Sequence, residues 1–258
     1  MNHSLKRIWL MYRPKEHGLT VMTLQVLVLG LAFAVQRASV FWLAAGLLLL
    51  APWIREAQRL YLHGRDNARD LLVMYALAGA LLLPMVLQRP DRVPFVWLLV
   101  FVMVLDLVFQ ATRTMRTWYA EMFGVVGLML FLVFLLELGG TGWAALPRVV
   151  FGFWAVGTLA VLAVRYQRAR KEGEHPSPWP MVAMSLLGTA VSPLLLPLPA
   201  AVFLALLLWS KTLLTLYWLP TPRTRRDFKR LGWVETTLTT VFLVGWIAMK
   251  PLLLGGGF

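Results

Sequence analysis

Residues 93–116 read VPFVWLLVFVMVLDLVFQATRTMR. From Val93 to Gln110 one carboxylate, Asp106, interrupts an otherwise apolar run, and Arg113 and Arg116 close it. A helix needs roughly 17–25 such residues to cross a hydrocarbon core, so this stretch predicts a membrane span with a basic end. The pattern recurs along the chain. Apolar stretches fall at about 19–35, 38–54, 69–87, 93–110, 119–138, 149–164, 179–196, 198–218 and 232–249. Numbering the gaps between them puts 19 of the 25 Lys and Arg residues in the N-terminal segment and every second loop. Basic residues in short loops stay in the cytoplasm. The expected fold is therefore an all-α polytopic membrane helix bundle of about nine transmembrane helices, a single membrane domain over 1–258. Its N-terminus is expected in the cytoplasm and its C-terminus outside.

Composition excludes other classes. The chain is 59% hydrophobic with a mean hydropathy of +0.70, against the roughly 45–50% apolar of a soluble domain. Many of its 12 Trp residues stand near expected helix ends, where amphipathic rings settle at headgroup level. The net charge of +13 sits in juxtamembrane loops, which attract anionic lipid rather than nucleic acid. With no cysteine, disulfides, thiolate metal sites and cysteine nucleophiles are excluded. His3, His17, His63 and His175 all lie outside the expected spans, and haem between membrane helices takes axial ligands from within them, so no haem is expected. Ala32-Phe33-Ala34 resembles a leader cleavage site, but the long polar entry before it favours retention of the first helix. Residues 55–70 read as an amphipathic extension in the interface plane, with Ala57, Leu60, Tyr61 and Ala68 on one side and Arg55, Glu56, Arg59 and Arg65 facing elsewhere. Pro193, Pro197 and Pro199 are read as an outer turn rather than a broken helix.

Charge inside hydrocarbon costs about 2.5–3.5 kcal/mol per residue on insertion scales and needs a partner or a purpose. Five ionisable residues lie in or beside the spans: Asp106, Glu121, Glu137, Lys211 and Glu235. Helix direction places Asp106, Glu121, Lys211 and Glu235 in the cytoplasmic half, with Glu121 and Glu235 each in the first turn of its helix. They read either as a buried ion-pair network or as a polar pocket beneath the basic loops. In the second reading an anionic headgroup meets Lys15, His17, Arg65, Arg69, Arg168 and Arg170 while its tail lies between helices. Which carboxylate Lys211 meets is left open. A short repeat accompanies these residues, because Arg116 and Arg230 each stand five residues before a Glu with a Trp between.

The entry segment Arg13-Pro14-Lys15-Glu16-His17-Gly18 resembles the opening signature of the YwiC-like family of bacterial integral membrane proteins. Ala120-Glu121, Arg230-Leu231-Gly232-Trp233-Val234-Glu235 and the basic stretch between the second and third helices resemble it too, so the likeness covers most of the chain. Leu19-Thr20 departs from it, where an Ala-Trp pair is expected. The resemblance implies a multi-pass protein of the bacterial cytoplasmic (inner) membrane with an accessory role beside a respiratory membrane-protein partner, while the basic juxtamembrane loops point to membrane lipids or an isoprenoid as partners and to no nucleic acid.

The architecture is also similar to the UbiA-type prenyltransferases, whose Asp-rich loops hold Mg²⁺ on a prenyl diphosphate. That likeness implies Asp66 and Asp70 as metal ligands, but one D-x-x-x-D between Arg65 and Arg69 is a thin Mg²⁺ site. Three functions compete: binding of an amphipathic anionic lipid or isoprenoid, divergent prenyl transfer with Mg²⁺, and proton-coupled secondary transport through Asp106, Glu121 and Lys211.

Overall fold

A computed structural model describes residues 17–64, 68–112, 117–219 and 225–255, and every regular element among them is helical. The chain divides into two compact units, Met1–Gly140 and Thr141–Phe258. The first contains α1 (His17–Phe33), α2 (Ser39–Leu62), α3 (Ala68–Gln88), a 3₁₀ turn (Pro90–Arg92), α4 (Val93–Ala111) and α5 (Trp118–Leu138). The second contains α6 (Leu146–Lys171), α7 (Trp179–Leu195), α8 (Leu198–Leu213), a π turn (Leu214–Trp218), α9 (Arg225–Ala248) and the short α10 (Lys250–Leu254).

Among the described residues six helices are long and apolar enough to cross a membrane: α2 to α6, and α8 with its π turn. Three apolar stretches of 10–17 residues, Val21–Phe33, Trp179–Leu195 and Gly232–Ala248, accompany them. The protein is a multi-pass membrane helix bundle. All backbone hydrogen bonds of a helix close within the segment, which is why hydrocarbon admits this element and not an irregular one.

In the first unit α1 and α2 pack with α5 around Val26, Leu29, Phe33, Leu48, Leu132 and Leu135. Only 17% and 11% of the spans of α3 and α4 are buried, against 56% for α2. These two helices therefore present most of their apolar side chains outward from their unit, as a lipid-facing helix must. The ends of α1 and α5 are joined through Gly139, whose carbonyl accepts the Val35 and Gln36 amides at 2.7 and 2.8 Å. A Cβ on Gly139 would stand 2.9 Å from the Ala34 Cα and 2.6 Å from its Cβ, so this approach needs glycine. In the second unit the Trp246 ring lies against Gly152, the Phe203 ring against Gly245 and Leu208 against Gly188, each where a Cβ would collide. Small residues that let backbones approach are the usual device for packing helices in lipid, where water supplies no drive.

Three helix limits differ from the sequence reading. The amphipathic extension expected over 55–70 is continuous with α2 as far as Leu62, since nothing between Ile54 and Leu62 breaks a helix. Glu56, expected to face away with the arginines, is instead 4% exposed. Helix 6 continues through Arg165, Arg168, Arg170 and Lys171, and its C-terminal dipole favours those cations. It stops at Gly173, where φ is +84°. Helix 9 begins at Arg225, so Glu235 lies well inside it and not in its first turn. Basic residues are good helix formers, and no Gly or Pro stands between Pro222 and Gly232. The proline-rich link between helices 7 and 8 is a tight turn at Leu196–Pro197, with Pro193 inside the last turns of α7.

Replacing Gly139 by Val is expected to cost about 1–3 kcal/mol through forced overpacking. Gly79→Ala, where a Cβ meets nothing within 4 Å, is expected to be neutral or stabilising. Thermal unfolding of both variants in detergent checks the contrast.

Candidate functional site

The first unit carries a partly open cavity of ≈ 120 Å³. Its lining on α2 runs from Leu47 to Gln58, about 16 Å at 1.5 Å per residue. Leu48, Leu82, Leu99 and Phe131 are among the side chains that make its wall apolar, while Thr23, Arg55, Gln58 and Asp106 make its polar part. The lining suits an amphiphile, mostly apolar, with Arg55, Gln58 and Asp106 toward the C-terminal ends of α2 and α4 and Thr23 on α1. Two residues of the lining set it apart from an ordinary helix face. Pro52 lines the cavity and lacks the amide that would bond the Leu48 carbonyl one turn earlier. Gly124 also lines it, and a Cβ there would meet nothing within 4 Å.

The polar end is a connected network. Arg55 Nε donates to Asp106 Oδ2 at 3.2 Å, with the two side chains 21% and 26% exposed. Gln110 Nε2 donates to the same carboxylate oxygen and to Gln58 Oε1, both at 2.9 Å. Gln58 Nε2 donates in turn to the Tyr75 hydroxyl at 2.7 Å. Beside it, Arg59 grips the buried Glu56 carboxylate through two bonds of 2.9 and 2.6 Å, the bidentate geometry that makes arginine pairs strong. Thr23 is 3% exposed and its hydroxyl has no hydrogen-bond partner among the described residues. Outside the spans, the Arg89 guanidinium bonds Asp91 through two contacts of 3.1 Å. Asp91, with the more distant Glu137 charge, raises its pKa above the ordinary arginine value.

The second unit holds its own polar pair. Lys211 on α8, 1% exposed, is ion-paired with Glu235 on α9. Thr215 on the adjoining π turn donates to the Lys211 carbonyl at 2.8 Å, and Gln167 of α6 donates to the Thr215 carbonyl at 2.8 Å. Arg170 reaches the Leu219 carbonyl at 3.4 Å with its guanidinium carbon 5.7 Å from the Tyr166 ring centre. The widened π turn thus has its loosened carbonyls met by side chains from α6. Serine and threonine hydroxyls join α7 to α8, Ser185 and Thr212 lying 2.7 Å apart.

These positions sort the residues singled out in the sequence. Asp106 meets Arg55 and Gln110; Lys211 meets Glu235. Glu121 stands in the first turn of α5 and Asp70 in the first turn of α3, positions favoured for carboxylates by the helix dipole. Arg69 is exposed on α3, and Arg168 lies in the last turn of α6. His17 opens α1. Lys15, Arg65 and Asp66 lie outside the described residues. Among the described residues no three His, Cys, Asp or Glu side chains converge as a metal site. Charge within the spans does not point to Thr23, Gln58 and Gln110; their signal in the sequence is an uncharged hydrogen-bonding group at an otherwise apolar helix position.

The helices that line the cavity also carry a recognisable sequence. Residues 14–136 match the family model of YwiC-like protein. The YwiC-like stretch includes Thr23, Arg55, Asp106 and Ala120-Glu121, while the Arg230–Glu235 segment and the Lys211–Glu235 pair lie beyond it. No curated protein and no solved structure matches the chain.

Removing one member of a buried ion pair leaves the other uncompensated at a cost of about 3–5 kcal/mol, whereas replacing both by apolar residues is often neutral. Lys211→Met is expected to lose stability on that scale, and Lys211→Met combined with Glu235→Leu to recover most of it. Unfolding of the single and double variants in detergent measures the difference.

Proposed function

We propose that this YwiC-like multi-pass membrane protein binds an amphipathic lipid or isoprenoid in its first unit. The head and the first segment of the tail lie in the slot between α2, α4 and α5, with the head at the Arg55–Asp106 end. The observation that carries the reading is the cavity itself, whose apolar wall terminates in four polar side chains drawn from α1, α2 and α4. Ligand sites have that composition, mostly apolar with a few convergent polar groups that orient the ligand. Binding is favoured over metal-dependent prenyl transfer because the one carboxylate in the cavity is engaged by Arg55 and Gln110. It is favoured over transport through a shared Asp106–Glu121–Lys211 site because Lys211 is held by Glu235.

In this reading the N-terminus and the polar end of the cavity face the cytoplasm across the bacterial inner membrane, which the distribution of basic residues among the loops supports, and Arg69 with its sequence neighbours attracts anionic headgroups to the surface. A C-terminal alkaline phosphatase fusion is then expected to be active and a C-terminal fluorescent-protein fusion dark. The reverse pattern would refute the orientation.

Gly124→Leu fills the slot from a position where the backbone has room for a side chain. Native mass spectrometry of the gently solubilised protein is expected to show a lipid or isoprenoid adduct that falls at least about tenfold in this variant, equivalent to 1.4 kcal/mol, but persists in Gly79→Ala. An adduct undiminished by Gly124→Leu would show that the ligand sits elsewhere and would end this reading.

A further inference from the structure

Among the described residues, the lining of the cavity carries one charge of each sign. These are Arg55 and Asp106, and they bond each other at 3.2 Å. The remaining polar contributors, Thr23 and Gln58, are neutral. An anionic head entering here gains the attraction of Arg55 and meets the repulsion of the neighbouring Asp106, in surroundings that screen neither well. Its charge would also lose hydration, and the described lining offers it no net opposite charge in return. A neutral head meets no such opposition. Thr23 supplies the second observation: its hydroxyl is buried, lines the cavity and has no partner among the described residues. A hydroxyl both donates and accepts, and buried hydroxyls without partners are uncommon in folded proteins.

We propose that the ligand of this cavity carries an uncharged hydrogen-bonding head, a hydroxyl or carbonyl on an isoprenoid or acyl chain, held by Thr23 Oγ1 and by the Arg55–Asp106 pair. The inference rests on the cavity being the ligand site. It replaces the anionic head suggested by the basic loops with one matched to the groups that line the slot. The slot is also narrow: an engineered cavity of about 150 Å³ takes a benzene-sized group, so ≈ 120 Å³ has room for a head and the first segment of its chain, with the rest among the helices or in lipid.

The test uses the full chain in detergent with three probes, farnesol, farnesyl phosphate and mono-oleoylglycerol, and follows binding by thermal shift and native mass spectrometry. Farnesol or mono-oleoylglycerol is expected to bind at least about tenfold more tightly than farnesyl phosphate, and the tighter of the two identifies the chain as isoprenoid or acyl. Thr23→Val, which keeps the shape and removes the hydroxyl, is expected to weaken the better neutral probe about fivefold, as loss of one hydrogen bond does. The same substitution should raise the melting temperature of the ligand-free protein, because an unpartnered buried hydroxyl is removed. A merely structural threonine would not move the two readouts in opposite directions. Tighter binding of the phosphate, or farnesol and mono-oleoylglycerol affinities unchanged by Thr23→Val, overturns the neutral head while leaving the cavity as the site. Neutral-probe binding that survives Gly124→Leu undiminished, or no binding of any probe, overturns both.

Discussion

Inside hydrocarbon a polar side chain has no water to fall back on, and this constraint orders both units of the protein. Each polar group carried into a span must find its partner on a neighbouring helix, so hydrogen bonds and ion pairs become cross-links between helices. Gln110 of α4 reaches Gln58 of α2, which reaches Tyr75 of α3. Arg55 of α2 meets Asp106 of α4. Ser185 and Thr212 join α7 to α8, and Lys211 joins α8 to α9. Apolar packing alone would leave these helices free to slide, because a lipid tail is as good a neighbour for leucine as another leucine is.

The same constraint makes exceptions informative. Among the described residues the Thr23 and Thr158 hydroxyls, the side-chain oxygens of Gln110 and Gln167 and the Trp246 indole nitrogen are buried without a hydrogen-bond partner, and of these residues Thr23 alone lines the cavity. Its hydroxyl faces an open space bounded by an Arg–Asp pair. Pro52 and Gly124 contribute to that space in opposite ways. One removes a backbone donor from the helix ladder and the other leaves out a side chain. Both would be unremarkable in a helix that only had to pack.

Much of this was legible in the sequence. The apolar stretches and their basic borders announce a polytopic bundle because the cost of placing charge in lipid is paid residue by residue, without reference to any partner. The proline turn after Pro193 was readable for the same local reason. Helix ends were less so. Arg225–Leu231 and Arg165–Lys171 read as loops because they are polar, yet polarity does not end a helix that projects from the hydrocarbon; glycine, proline or a lost hydrogen-bond ladder does. Glu56 was read as facing away from the core, although Arg59 one turn later gave it a partner and allowed its burial.

By itself the sequence determined the class of the protein, the arrangement of its spans and the residues that would be costly to leave alone in a membrane. It had no means of choosing among partners. Asp106 had arginines and lysines at several sequence distances, and Lys211 had four carboxylates. Only tertiary structure decided that Asp106 meets Arg55 and Lys211 meets Glu235, and that the Thr23 hydroxyl has no hydrogen-bond partner among the described residues. Insertion into lipid depends on the composition of one segment at a time, whereas pairing depends on which faces of different helices are brought within 3 Å, a distance no periodicity encodes.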